Sequence, residues 1–100
     1  DFDLFLNYLS NILKGKENIE TVRISCSESQ FRYLETLPLH ESQKFEQQQD
    51  DKFIISLKLI PTYDFVMEIL AMGKEVKVLE PKKLVSEIKE KIKENLDQYL

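Results

Sequence analysis

Few residues in this chain could do covalent chemistry, and their spacing does not favour it. His40 is the sole histidine and Cys26 the sole cysteine. Neither pairs with another soft ligand at the separation a zinc site requires. Asp50 and Asp51 are adjacent carboxylates between two strand-like segments, where a hairpin tip accounts for them without a metal. Gly15 and Gly73 are the only glycines, so there is no glycine-rich phosphate loop, and no Gly-x-Ser-x-Gly elbow occurs. His40 reads as a surface or hydrogen-bonding histidine. Cys26, in phase with Val22 and Ile24, reads as a small core residue. The remaining candidates are non-covalent: Arg23, Lys58 and Lys77, with the hydroxyls of Ser25 and Ser56. On one surface these groups would hold an anion such as a nucleotide, an oligonucleotide phosphate or an acidic segment.

Whether they share a surface depends on the strands that carry them. Residues 20–26 alternate, with Val22, Ile24 and Cys26 on one side and Thr21, Arg23 and Ser25 on the other, as in a half-buried strand. Residues 43–48 and 53–60 read as a hairpin. Its first arm is a polar edge strand. Its second arm turns Phe53, Ile55, Leu57 and Leu59 inward and Ile54, Ser56, Lys58 and Ile60 outward. Val76 to Leu79 makes a short fourth strand with Lys77 outward.

Helices fall between the strands. Ser27 and Gln30 form a capping-box pair ahead of Phe31, Leu34 and Leu37, and Pro38 ends that helix. Thr62 caps a helix over 63–72 that is expected to bury Val66, Met67 and Leu70. Gly73 supplies the left-handed backbone that closes it. Pro81 fits the first turn of a last helix reaching about Tyr99, with a stripe of Leu84, Val85, Ile88, Ile92, Leu96 and Tyr99. A further helix over 3–13 carries Phe5, Leu6, Leu9, Ile12 and Leu13 at helical spacing.

Without the two terminal helices the order is strand, helix, strand, strand, helix, strand. That is the α+β, ferredoxin-like βαββαβ sandwich, here with an extra N-terminal helix and a long C-terminal one. Right-handed crossovers place strands one and three in the centre and strand four beside strand one. Both helices then lie on one face, and the five candidate residues lie on the other. Base stacking in the manner of RNA-recognition sheets would need aromatic rings on that outer face, and Phe53 is on the inward register.

The chain has 100 residues, a net charge of −4, 42% hydrophobic and 32% charged residues, which fits one globular domain. The acidic balance argues against bulk binding of nucleic acid. It is uneven: residues 1–73 carry −5 and residues 74–100 carry +1. No apolar run reaches the ~20 residues of a membrane span. A single cysteine excludes an internal disulfide and makes a reducing cytoplasm the expected compartment.

Several segments resemble one known family. Ile69 to Leu84 contains a Met-Gly helix end, a Val-Lys-Val-Leu strand and a Glu-Pro-Lys-Lys-Leu helix opening. Leu39-His40-Glu41-Ser42-Gln43 and Phe53 to Leu57 with Pro61-x-Tyr63 lie upstream in the matching order. Together they resemble the C-terminal extension, or WCX domain, of WYL-domain bacterial transcriptional regulators. The family's Trp-Tyr-Leu motif and winged-helix DNA-binding domain are absent, and the chain opens at Asp1. It is therefore expected to be an excised C-terminal part. Residues 1–19 would be a helix and linker from a missing upstream domain, and 20–100 the domain itself. The resemblance implies a ferredoxin-like fold, no catalysis and no cofactor. It also implies dimerisation and an effector site shared with the WYL domain of the same chain. The effector would be an anionic nucleotide or oligonucleotide, with DNA read mainly by the missing domains. The alternative is a stand-alone ferredoxin-like small-molecule sensor or protein-interaction module. The residues expected to contact an anion come from strand parity, not from the family.

Overall fold

The computed structural model describes residues 2–6, which are helical and exposed, and residues 19–100. The expected helix over 3–13 otherwise lies outside the described residues. The main body runs β1 (Glu20–Ser27), α1 (Glu28–Thr36), β2 (Lys44–Gln49), β3 (Lys52–Leu59), α2 (Tyr63–Ala71), a 3₁₀ turn (Gly73–Glu75), β4 (Val76–Glu80) and α3 (Lys82–Asp97). The sheet order is β2-β3-β1-β4 with every neighbouring pair antiparallel, the ferredoxin-like arrangement expected from the element order.

Local chemistry sets the boundaries. Ser27 Oγ accepts from the Gln30 N–H at 3.3 Å and starts α1. Thr62 Oγ1 accepts from the Phe65 N–H at 3.3 Å and starts α2. Gly73, at φ +58, ends α2 and opens the 3₁₀ turn. Asp50 turns the β2–β3 hairpin at φ 55, in a region that aspartate tolerates better than most side chains. Pro81 precedes α3 as its N-cap residue.

One face of the sheet holds the core. Val22, Ile24 and Cys26 of β1 are fully buried with Ile55 and Leu57 of β3, and Val76 and Val78 of β4 join them. Phe31 and Leu34 from α1, Phe65, Val66 and Ile69 from α2, and Leu84 and Ile88 from α3 close it. Burial pushes the Cys26 thiol up to about 11, as expected for a sulfur surrounded by apolar groups.

The helical stripes depart from expectation in three places. In α2 the buried residues are Phe65, Val66 and Ile69, while Met67 is 44% exposed and Leu70 is half-buried. Five apolar residues between positions 65 and 70 cover more than one helix face, so the pattern does not fix which side meets the sheet. In α3 only Leu84 and Ile88 are buried, while Ile92 and Leu96, and Tyr99 just past its end, are exposed. The helix outruns the sheet that would cover it. Leu37, at the end of α1, is also exposed.

A side-chain network holds the loop between α1 and β2. Gln43 Nε2 donates to the Leu34 carbonyl at 2.9 Å, and its Oε1 accepts from the Leu39 N–H at 3.0 Å. One amide thus serves an orphan carbonyl at a helix end and a loop N–H. Ser42 Oγ accepts from the Lys58 N–H at 2.8 Å and donates to the Lys58 carbonyl at 3.0 Å. The hydroxyl stands in for a missing strand partner. His40 Nδ1 lies 2.7 Å from that hydroxyl and accepts from the Ser42 N–H at 3.1 Å. His40 is therefore a hydrogen-bonding loop residue, as its position in the sequence predicts.

Candidate functional site

Strand alternation places Arg23, Ser25, Ser56, Lys58 and Lys77 on the face opposite the core. Arg23 is directly across from Ser56, and Ser25 is directly across from Lys77. Lys58 lies across from Thr21, at the far end of β3. Phe53 turns away from this face and stacks on Phe31, with ring centroids 4.7 Å apart. β1 and β3 thus offer no aromatic platform to a base on the polar side.

Arg23 does not present a free charge. Its Nε donates to Glu46 Oε2 at 2.7 Å, and its Nη1 lies 3.8 Å from Glu80 Oε1. Glu46 comes from β2 and Glu80 from β4, so the guanidinium joins both edges of the sheet. On the intervening β3 the residue directly across from Arg23 is the small Ser56. The pairing register slips between Phe45 and Gln47, and this bulge carries Glu46. The hydrogen bond and charge of Glu46 raise the pKa of Arg23, so it is cationic at any ordinary pH. Two carboxylates around one guanidinium leave this cluster with a net negative charge.

The middle of the face is partly shielded. Arg23, Ser25 and Ser56 are half-buried, and Ile54 is only 2% exposed although it points away from the core cluster. Lys58 and Lys77 are exposed and form no ion pair among the described residues. Lys77 sits level with Ser25, and Lys58 sits level with Thr21. Four residues along a strand and two strand spacings place their backbone positions roughly 17 Å apart. Side chains stand roughly perpendicular to a sheet, so a single phosphate does not bridge both lysines. Two phosphates along an extended chain span that separation.

Sequence parity finds all five positions. It does not find the two glutamates. Glu46 reaches Arg23 because of a bulge, which has no signature in a run such as Gln-Lys-Phe-Glu-Gln-Gln. Glu80 was readable only as the residue before a proline. Among the described residues no group of histidine, cysteine or carboxylate side chains could hold a metal ion. No helix among them is long and apolar enough to cross a membrane.

A family model described as the WCX domain matches residues 18–96, which spans every strand of the sheet and nearly all of α3. No curated protein matches the chain.

Proposed function

Because the chain belongs to the WCX domain family, a family found in WYL-type transcriptional regulators, we propose that it is a non-catalytic regulatory module of such a regulator. In this reading its polar sheet face, together with the WYL domain, forms or relays the site for an anionic effector. DNA-reading elements are supplied elsewhere in the polypeptide, and the assembled regulator is a dimer. The observation that carries the effector reading is the pair of exposed lysines, Lys58 and Lys77, which form no ion pair among the described residues and lie on either side of a face whose central arginine is already neutralised. Their separation favours an extended polyanion, such as a single-stranded oligonucleotide, over a mononucleotide. Ser25 and Ser56 offer hydroxyl donors between them, and Arg23 enters only if a ligand phosphate displaces a glutamate.

Fluorescence anisotropy with a labelled single-stranded oligonucleotide tests this reading. Lys58→Glu and Lys77→Glu should each weaken binding uniformly across sequences and lower the salt slope by about one. Lys93→Glu, on the exposed side of α3, serves as the control. Equal affinities for wild type and both face variants would reject the site.

A further inference from the structure

A concave surface lies on the other side of the molecule, between α2 and α3 with β4 at its edge. It is a groove of about 1260 Å³, larger than the roughly 300–1,000 Å³ of small-molecule sites. Tyr63, Met67 and Leu70 form one wall, at positions i, i+4 and i+7 of α2. Val85, Ile88 and Ile92 form the other, at i, i+3 and i+7 of α3. Two apolar rows at helical spacing, facing one trough, match the anchors of a third helix laid between them. Tyr63, Met67 and Ile92 are all more than two-fifths exposed, so the walls are open to solvent.

The rim is cationic. Lys74, Lys89 and Lys91 border the groove, against Glu94 as the one carboxylate. The chain as a whole is at −4, so this is a local reversal of sign. None of the three lysines forms an ion pair among the described residues, and Lys91 Nζ sits 5.8 Å from the Tyr63 ring centroid. We propose that this groove docks an amphipathic helix of a different protein, with an apolar stripe and a carboxylate-rich opposite edge.

Among the described residues, the chain's own helices are poor occupants. Residues 2–6 bring Asp3 as their one charge. α3 is lysine-rich, and α2 is acidic but spends its apolar surface on the core and on the groove itself. A concave trough also fits a rod better than a flat bilayer.

The test uses the full 100-residue chain and a labelled synthetic helix with leucines at i, i+3, i+4 and i+7 and glutamates beside them. Anisotropy should show saturable binding that high salt weakens. The double variant Lys89→Glu, Lys91→Glu should weaken it about tenfold. The same peptide with lysines replacing the glutamates should bind at least as much more weakly. Circular dichroism checks that the double variant is folded, and if it is not, Lys74→Glu carries the same expectation. Equal binding of the acidic and basic peptides, or no loss in the variants, overturns the proposal. A wild-type dimer in sedimentation that the peptide dissociates would assign the groove to a second copy and also overturn it. So would binding to phosphatidylglycerol vesicles, lost in the same variants, without binding of the peptide.

Discussion

The helices that cover the sheet are seated in two different ways. On the α1 flank, Phe31 stacks on Phe53 with an interplanar angle of 12°, and Phe45 approaches Phe31 to 5.2 Å. Gln43 ties the end of that helix to the loop that follows it. On the α2–α3 flank a groove lies between the helices, and Met67 and Ile92 stay in solvent. Both flanks were given ample apolar residues. What differs is whether neighbouring elements bring side chains that fill the space between them. The closed flank reads as structure and the open one as a surface held in reserve.

Changes that separate the two flanks can be ranked. Phe31→Ala removes the ring on which two others rest, and should cost about 3–4 kcal/mol in urea unfolding. A loss below about 1 kcal/mol would mean that the aromatic wedge does not hold α1 down.

Cys26 pairs with Phe53 towards one flank and with Val76 towards the other, so its thiol reports on both. Its pKa is raised from 9.0 to about 11 by burial. At neutral pH the thiolate fraction should therefore be roughly a hundredfold below that of an ordinary cysteine. A disulfide reagent should react at the free-thiol rate only after denaturation. The linkage has a definite sign. The native state holds this proton more tightly, so the contribution is fully present below the ordinary thiol range. It declines as pH rises from there through about 11. Fast labelling of the native protein would show that the open flank admits reagent to the core.

Gln43→Ala leaves the part-buried Leu34 carbonyl and Leu39 N–H without their partner, at a cost of about 1–2 kcal/mol. Gln43→Glu keeps the shape but removes the donor, so it should recover little of this. Ile92→Ala should lie within about 0.5 kcal/mol of wild type, because the residue is 53% exposed. A large loss there would place Ile92 in the core and close the groove.

The sheet was readable because two-residue alternation is a strict constraint. Val22, Ile24, Ile55 and Leu57 had to share a side, and they do. Both N-caps were legible from Ser27 and Thr62 for the same reason, since each satisfies a named backbone donor. The phase of α2 was not readable, because nearly every position from 65 to 70 is apolar and packing alone chooses among them. Ile54 was expected to face outward and does, yet it is buried. Parity gives a direction, and burial depends on what else arrives. The Leu-His-x-Ser-Gln segment was visible as a resemblance. Its physical role, in which Ser42 completes a strand and Gln43 clamps a helix end, needed the loop's path through space.

Ser56 is a small, half-buried residue in the outward-facing row of β3, yet it bears on what the surrounding field looks like. Arg23 reaches from β1 to Glu46 on β2, and the residue it faces on the intervening β3 is no taller than a hydroxymethyl group. A leucine or tyrosine at 56 would obstruct that path and release the guanidinium upward into solvent. Glu46 would then stand alone at the β2 margin. The whole surface would change from a self-cancelling patch with two positive corners to one with a positive summit, and polyanions that now meet no central attraction would find one.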